Sequence, residues 1–353
     1  MNNIILDELE LNFNSIEKEI FEVVCKIGLS RIKVIMEDDA LSLNLIGRTS
    51  ENLIEKIIDN AIDNSYRKSA DKIEESTLTK ISHQTIKNKV DYLGNAIEKV
   101  ENNRIAKYLK GELKGKKEVS VLFEEKDGVY LKIQDEKRKH ELKVGKIYEG
   151  WVKESDKYRT IGTIYFSGYE EGNNFDNLIN SRISELYNED KIQYIVLNGD
   201  GASWISDETK NDTQKIYQLD LFHIFQKANR KIKNEESRKI VKKLLREKKY
   251  DNVLEKIKEF INLETDEKKK EELQEVYSYY KSNFNALTRY HDRKNIIIPP
   301  PPDGVEYRGL STMESSIRNV IASRMKDNGT AWSIEGANHM SKILCLKHKP
   351  VSS

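Results

Sequence analysis

Three acidic residues in separate stretches of the sequence are of the types that metal-dependent phosphoryl transfer requires. They are Asp127 in VLFEEKDGVYLKI, Asp200 in YIVLNGDGASWI and Glu314 in LSTMESSIRNVIASRM. Both aspartates stand at or just beyond the end of an apolar run typical of a strand, and Glu314 opens a helical pattern. Carboxylates that converge from strand ends and a helix can hold two Mg²⁺ ions for an in-line attack on a phosphodiester. The three residues therefore predict a phosphoryl-transfer site.

Each of these acidic residues also has an ordinary structural interpretation. Asp127 and Asp200 both precede a glycine, and an Asp-Gly pair commonly forms a turn. Glu314 is of the type that the positive end of a helix favours. Glu124 and Glu125 are alternatives to Asp127 as the first metal ligand, because strand alternation directs only some of the three side chains to one face.

The pattern around Asp127 predicts two strands. Apolar residues alternate over 119–123 and again over 129–133, and Asp127-Gly128 between them predicts a hairpin turn. A third strand is expected at 159–167.

Later segments predict a helix at 174–187, a buried strand at Tyr194–Leu197 and another strand at 215–220. The order β-β-β-α-β places this region in the α/β class. Asp200 directly follows a buried strand, and strand carboxyl ends open into crevices in such sheets.

A final helix is expected from Glu314 to Met325, after a return segment that begins with the prolines at 299–302. Consecutive prolines force an extended conformation, so this stretch is interpreted as a spacer that leads the chain back to the sheet. Glu314 lies on the first turn and faces the aspartates if the helix packs on the sheet.

Composition limits the function classes. The 353 residues are 34% charged with a net charge of +1, so contact with nucleic acid would need a local concentration of positive charge. Cys25 and Cys345 are far apart, which favours neither a zinc site nor a disulfide framework. With no signal peptide and no run of about 18 apolar residues, a cytoplasmic protein that does not cross a membrane is expected.

A strongly basic helical stretch occupies the region between the second aspartate and the final helix. Residues 226–249 hold eleven Lys or Arg against three Glu. One interpretation is the solvated face of long helices. The other is a track for the phosphate backbone of DNA, with Arg230 and Lys231 as candidate contacts.

Residues 67–93 predict two helices joined by a turn, in the manner of a DNA-reading helix-turn-helix. Ser82 can cap the second helix, which would present four polar side chains on its early turns. Glutamine and asparagine can pair with adenine, and lysine reaches guanine or phosphate. An ordinary pair of helices is the alternative. The candidate reading residues are His83, Gln84, Lys87 and Asn88.

Taken in order, these motifs resemble the Mutator-like DDE transposases, most closely the ISLre-type group of bacterial insertion sequences. The resemblance rests on Glu125-Lys126-Asp127-Gly128, Asp200-Gly201-Ala202-Ser203-Trp204-Ile205, Asp220-Leu221-Phe222-His223, and Glu314 followed by Arg324-Met325 and Trp332.

The resemblance implies a ribonuclease-H-like core with a helical insertion, and a DDE triad of Asp127, Asp200 and Glu314 that binds two Mg²⁺, with Mn²⁺ as a substitute. It gives Asp220, His223 and Arg324 supporting roles near the triad. The two tryptophans that match the family, Trp204 and Trp332, are interpreted as core aromatics.

Double-stranded DNA, both terminal inverted repeats and target, would be the partner, and a homo-oligomer the active form. Family members are usually longer, so an internally deleted or truncated copy is a further expectation. A non-catalytic sequence-specific DNA-binding protein, an inactive transposase remnant and a helical scaffold are the alternatives.

The pattern divides the chain into six parts. They are an N-terminal helical segment (1–49), a helix-turn-helix-like region (50–117), the first part of the catalytic core (118–220), the helical insertion (221–298), the return to the core (299–345) and a tail (346–353).

Overall fold

A computed structural model describes residues 51–170, 172–206, 214–327 and 330–348. These residues form a mixed α/β structure in which a five-stranded mixed sheet packs among many helices, in agreement with the predicted class. The N-terminal segment predicted over 1–49 lies outside the described residues.

Seven strands occur in the described ranges. They are β1 (Val121–Lys132), β2 (Lys139–Tyr148), β3 (Gly150–Glu154), β4 (Lys157–Ile161), β5 (Ile164–Gly168), β6 (Tyr194–Gly199) and β7 (Lys215–Leu219).

Helices precede, interrupt and follow the strands. They are α1 (Glu51–Asp63), α2 (Tyr66–Thr77), α3 (His83–Leu109), α4 (Gly172–Leu186), α5 (Ser203–Ser206), α6 (Leu221–Lys231), α7 (Glu235–Arg246), α8 (Tyr250–Leu263), α9 (Glu267–Ser282), α10 (Phe284–Leu287), α11 (Met313–Ile317), α12 (Ser323–Met325) and α13 (Ile334–Lys347).

The five-stranded sheet has the order β5-β2-β1-β6-β7. β1, β6 and β7 run parallel, whereas β2 is antiparallel to both of its neighbours. β3 and β4 form a separate antiparallel ribbon. The ends of β6 and β7 therefore open at the same edge of the sheet, beside the middle of the longer β1.

The hairpin predicted at Asp127-Gly128 is wrong, because β1 runs through both residues as one strand. It pairs with β2 from Phe123↔Tyr148 to Lys132↔Lys139. The apolar alternation keeps the same phase on both sides of Asp127, as a continuous strand requires and a turn would not.

Two further strand predictions are corrected. The strand expected at 159–167 is split into β4 and β5. The extended conformation is interrupted at Gly162, which has a φ of +62°. Strand β2 had no counterpart among the predicted elements. The helix at 174–187 and the strands at 194–197 and 215–220 are confirmed as α4, β6 and β7.

The helix predicted from Glu314 to Met325 is confirmed in extent but not in regularity. Between α11 and α12, residues Arg318–Ala322 form a π-helical turn. The last helix corrects the predicted tail, because α13 continues to Lys347. Ser333 caps the start of α13 by accepting a hydrogen bond from the Gly336 N–H at 3.1 Å.

One face of β1 carries two apolar patches with two carboxylates between them. Val121 and Phe123 pack under the return segment, in a core that also holds residues of β6, β7 and the 290–310 stretch. Val129 and Leu131 pack against α1–α3 and α13. The N-terminal helices therefore share a core with the sheet instead of forming a detached domain.

The opposite face of the sheet is covered by α4, through Leu122, Ile147 and Ile179. The helical insertion has its own core, built around Ile224, Val276 and other apolar residues of α6–α10. Within the described ranges, no helix combines the length and apolar character needed to cross a bilayer.

Gly94→Ala tests the contact between α3 and α13. A Cβ at this position would lie 2.3 Å from the Cβ of His339. Alanine is intrinsically better than glycine in a helix by about 1 kcal/mol, so a net loss can only come from the clash. We expect the free energy of unfolding, measured in urea, to fall by about 1–3 kcal/mol.

Gly309→Ala is the control, since nothing lies within 4 Å of the Cβ that it would add. Its effect should stay within about 0.5 kcal/mol. Equal stability of the two variants would contradict the described packing of α3 on α13.

Candidate active site

Strand register brings Asp127 and Asp200 together. Glu125 of β1 is the partner of Asn198 in β6. Asp127 and Asp200 lie two residues further along these parallel chains, on the same face, and such residues stand side by side. Asp220 follows β7 at the same level, because Gly199 of β6 pairs with Leu219. Three aspartates therefore line one edge of the sheet.

The electrostatics of Asp200 reflect this crowding. Burial raises the pKa of Asp200, and the charge of Asp127 raises it further, while a hydrogen bond from the Ala202 N–H at 2.8 Å and the charge of His223 oppose the change. A carboxylate whose ionised form is disfavoured in this way would gain from a nearby cation.

The turn after Asp200 requires glycine. Gly201 has a φ of +96°, and a Cβ here would lie 2.8 Å from Cε2 of Tyr279. Tyr279 belongs to α9 and donates a hydrogen bond from its hydroxyl to the Asp200 carbonyl at 2.7 Å. The helical insertion thus holds the backbone of Asp200 in place.

His223 on the first turn of α6 pairs with Asp127. Its Nε2 lies 3.4 Å from Oδ2 of Asp127. Burial lowers the pKa of His223, but the hydrogen bond to Asp127 and the charges of Asp127, Asp200 and Asp220 outweigh burial, so the net pKa is raised. These carboxylates therefore make His223 easier to protonate than a free imidazole.

Asp220 supports His223 through the backbone of α6 and not through a hydrogen bond to its ring. Its Oδ1 caps α6 by accepting from the Phe222 N–H at 2.7 Å, and its Oδ2 accepts from Nδ2 of Asn198 at 2.6 Å. Burial raises the pKa of Asp220 first, and the charge of Glu125 raises it further. Asp220 orders the helix that carries His223.

Glu125 ties the segment before Glu314 to the sheet. Its Oε2 accepts hydrogen bonds from the backbone N–H groups of Ser311 and Thr312, at 3.2 and 3.0 Å, and its Oε1 accepts from the Thr312 hydroxyl at 2.5 Å. Ser311 has a φ of +124°, which is unusual for serine. A buried carboxylate therefore fixes the start of α11.

Glu314 borders the same small cleft as Asp127 and His223. It is exposed, in contrast to Glu124 and Glu125, which are both fully buried. Glu124 contacts Lys126 at 2.9 Å on the opposite face of the sheet. Among the three acidic residues of this stretch, Asp127 is the one that borders the cleft.

The residues at this edge fit a cation only in part. Within the described ranges, no group of three or more His, Cys, Asp and Glu side chains is arranged to hold a metal ion. Asp127 and Asp200 offer hard oxygen donors whose mutual repulsion disfavours ionisation of Asp200. Two carboxylates on adjacent strands can supply ligands to a divalent ion, and Glu314, which lines the small cleft beside Asp127, is a candidate for a further donor.

Glu141 is an acidic residue near this site that the sequence did not single out. It lies opposite Tyr130 in the β1–β2 pair, and its Oε1 fills the space beside Gly128. Burial raises the pKa of Glu141, and the charge of Asp200 adds to the increase. Its strand, β2, was not predicted, so no signal placed Glu141 beside the aspartates.

Arg324 lies away from the cleft that Asp127 borders. It donates from Nε to the Ala61 carbonyl at 2.8 Å and stacks on Trp332, with 4.9 Å from its guanidinium carbon to the ring centroid. The interpretation of the tryptophans as packing residues agrees with the structure, since Trp332 is buried and Trp204 meets Phe175 edge to face.

The start of α3 has the cap that the sequence predicted. The Ser82 hydroxyl accepts a hydrogen bond from the Thr85 N–H at 3.0 Å. His83, Gln84 and Asn88 are exposed, and the last two are linked by a hydrogen bond of 2.9 Å. Lys87 forms an ion pair with Asp91.

The turn between α2 and α3 lacks the usual glycine. Leu78 adopts the left-handed conformation there, with φ 57° and ψ 17°. Its N–H closes α2 by donating a hydrogen bond to the Glu74 carbonyl at 2.9 Å. Its side chain is 93% exposed. The local geometry of the turn is therefore reached without glycine.

Some of the basic residues of the insertion form ion pairs within the protein. Lys231 pairs with Glu275 at 2.8 Å, and Lys239 pairs with Glu235 at 3.0 Å. Arg230 forms no ion pair within the described part of the chain. These ion pairs agree with a solvated face, and contact of this stretch with DNA stays a prediction.

The raised pKa of Asp200 predicts a pH-dependent stability. The folded carboxyl holds its proton more tightly than the unfolded one, so its contribution to stability grows as pH falls through the folded pKa and is lost on ionisation. Asp200→Asn should therefore raise the Tm at about pH 7 without divalent cations, and the gain should shrink toward about pH 4.

Thermal unfolding across this pH range measures the difference, with exposed Asp190→Asn as the control that should leave the Tm unchanged. A Tm of Asp200→Asn equal to that of the unmodified chain at neutral pH would contradict the crowding of carboxylates at this edge.

Known relatives extend over most of the chain. A protein of Caldanaerobacter subterraneus subsp. tengcongensis, whose name carries eleven locus designations, is 28% identical over 309 residues, which are 87% of this chain and 60% of that protein. A second protein of that organism, named for four loci, has the same identity and coverage. A Streptococcus gallolyticus protein, named for the vanSb 3′ region, is 24% identical over 312 residues, 86% of this chain and 64% of that protein.

The chain thus spans about 60% of the length of the Caldanaerobacter relatives. All three relatives are named as UPF0236 proteins. The profile of this uncharacterised protein family matches residues 8–351, and the chain belongs to the family UPF0236.

Proposed function

We propose that the chain is a DDE transposase that cuts and rejoins DNA at the ends of an insertion sequence. The observation that carries the proposal is the edge of the sheet where Asp127 and Asp200 stand side by side, with Glu314 on the rim of the small cleft that Asp127 borders. Two strand-borne aspartates and a helix-borne glutamate suit phosphoryl transfer.

The sheet supports a ribonuclease-H-like core as the fold of this region. Its strands follow the chain order β-β-β-α-β, with the ribbon β3–β4 inserted before β5. The helices α6–α10 lie between Asp200 and Glu314, where the resembling transposases carry their helical insertion. This insertion has its own core and so adds to the sheet without disturbing it.

The relatives support a mobile gene. One Caldanaerobacter protein carries eleven locus designations in a single name, and another carries four. Repetition of one protein at many loci of a single organism is the expected trace of an element that copies or moves itself.

In the proposed reaction, Asp127, Asp200 and Glu314 would hold two Mg²⁺. Bound there, the ions would activate the attacking hydroxyl and stabilise the leaving oxygen. His223 would hold a proton at Nε2 against Asp127 and so limit the repulsion among the carboxylates. Glu125 would keep the α11 start against the sheet, and with it Glu314.

The two chemical steps follow from the phosphodiester substrate. Attack by water on the phosphorus at an element end breaks the P–O3′ bond and leaves a free 3′-OH. Attack by that 3′-OH on a phosphodiester of target DNA then forms a new bond and releases another 3′-OH, so the bonds broken and made balance. The protein positions the groups and neutralises charge.

DNA would be read by the helix-turn-helix-like pair α2–α3. A hydrogen bond between the exposed side chains of Gln84 and Asn88 orients both of them. Both residues lie within two turns of the capped start of α3. This exposed face favours one alternative function, a non-catalytic sequence-specific DNA-binding protein. An inactive transposase remnant would be a variant of this alternative.

Asp200→Asn should abolish DNA cleavage while binding survives. The amide keeps the size of the side chain but removes the negative charge that a divalent ion requires, so we expect Mg²⁺-dependent nicking of DNA carrying the flanking ends to fall about 100–1,000-fold. Glu314→Gln should lose as much if it supplies the third ligand.

Nicking is measured on labelled duplex, and binding by gel shift in the same preparation. Asp190→Asn, an exposed aspartate before β6, serves as the matched control and should nick normally. Full cleavage by Asp200→Asn would remove this residue from the site, and binding without nicking by the unmodified chain would favour the regulator.

Gln84→Ala and Asn88→Ala test the reading face of α3. Each is expected to weaken binding to the end sequence by about 1–3 kcal/mol, because a bidentate pair with a base is lost, and to change binding to unrelated duplex much less. Fluorescence anisotropy gives both affinities.

Lys99→Ala, an exposed change further along α3, is the control. Equal losses on both duplexes would show that α3 contacts only the backbone, which would contradict sequence reading by this helix.

A further inference from the structure

A second cleft lies where the N-terminal helices meet the last helices of the chain. It measures about 190 Å³, which is room for several water molecules or one small charged group. The starts of α2 and α13 and the helical turn that carries Arg324 surround it. Its lining includes Ser65, Tyr66, Lys87, Arg324, Trp332 and Ser333.

Arg324 brings a buried positive charge to this cleft. It is 5% exposed, and its guanidinium carbon lies 5.7 Å from the ring centroid of Tyr66 and 4.9 Å from that of Trp332. Its Nε donates a hydrogen bond to the Ala61 carbonyl. Within the described ranges, neither terminal nitrogen of the guanidinium donates a hydrogen bond, and no carboxylate forms an ion pair with it. A buried charge without such partners is costly, so an anion there would be stabilising.

Tyr66 adds a second donor without an acceptor. Its hydroxyl is buried and has no hydrogen-bond partner in the part of the chain that the structure describes. An unsatisfied buried hydroxyl costs about 1–3 kcal/mol. The Tyr66 hydroxyl can donate and the Arg324 guanidinium offers only donors, so a ligand rich in acceptor oxygens would suit the cleft that both residues line.

The surrounding charges are mostly favourable. The positive ends of α2 and α13, which have 12 and 14 residues, begin at Ser65 and Ser333 on the wall of the cleft. The acidic groups nearby are already paired, Asp63 with Lys347 at 2.7 Å and Asp91 with Lys87. An arriving anion therefore meets donors and neutralised carboxylates.

We propose that this cleft binds a phosphate group, and that its source is the backbone of DNA lying along α3. Lys87 carries the argument for the source, since it lines the cleft and belongs to the early turns of α3. A guanidinium and a hydroxyl that converge on one oxyanion are a common phosphate arrangement. The assignment to DNA rests on the proposed function, whereas the phosphate chemistry does not.

The first test uses inorganic phosphate as the probe. The full chain should gain Tm with rising sodium phosphate beyond its gain in sodium chloride of equal ionic strength. Tyr66→Phe should fold at least as well in chloride, because the hydroxyl it removes has no partner. It should need about tenfold more phosphate for the same gain, since a hydrogen bond to a charged group is lost.

Tyr169→Phe is the matched control. Its hydroxyl is also buried without a partner in the described residues, but Tyr169 does not line this cleft. Its phosphate response should equal that of the unmodified chain. A Tyr66→Phe response equal to that of the unmodified chain, or no phosphate-specific gain in the unmodified chain, would overturn the site.

The second test identifies the source of the phosphate. Tyr66→Phe should weaken binding to end-sequence and unrelated duplex by the same factor, about tenfold, since a backbone contact carries no sequence information. Arg324→Gln, if it folds, should also flatten the salt dependence of log K by about one unit. Reduced phosphate affinity with unchanged DNA affinity would overturn the DNA source.

The two proposals fail separately. If the unmodified chain binds no DNA, the transposase proposal and the DNA source both fall. The phosphate titration still reports on the cleft in that case, because it uses neither DNA nor cleavage.

Discussion

The structure depends on a row of buried polar residues that crosses four strands of the sheet. Lys146 of β2, Glu125 of β1, Asn198 of β6 and Gln218 of β7 are successive partners in register. Asn198 donates to Glu125 at 3.3 Å and accepts from Gln218 at 3.1 Å. Such a network is favourable only when all of its members are satisfied, so the position of each strand constrains the others.

This row separates an apolar core from an acidic edge. The row before it contains Phe123 and Val196, which pack under the return segment, and the row after it contains Asp127 and Asp200. Glu125 of the polar row also accepts a hydrogen bond from the N–H of Thr312, the residue before α11. This hydrogen bond holds the start of α11, which is remote in sequence from β1, at the acidic edge. The helices between Asp200 and Glu314 pack mainly on one another, so the start of α11 depends on this contact with the sheet.

Local signals in the sequence identified what depends on near neighbours. The cap at Ser82 and the buried strand before Asp200 are set by contacts within a few residues. Strand β2 escaped detection because Lys146 occupies a buried position, which is tolerable only beside Glu125 on another strand. The hairpin at Asp127 was wrong because the Asp-Gly signal is local, whereas the continuous pairing of β1 with β2 is not.

The position of Arg324 away from the cleft that Asp127 borders has a geometric cause. A regular helix from Glu314 would keep a period of 3.6 residues, but the π-helical turn at Arg318–Ala322 inserts a residue into that period. One extra residue turns everything beyond it by about 100° around the helix axis. Arg324 consequently points to Tyr66 and Trp332 instead of the acidic edge. The same helical segment therefore serves two clefts, with a carboxylate at its start and a guanidinium at its end, which separates the charge suited to metal ions from the charge suited to phosphate.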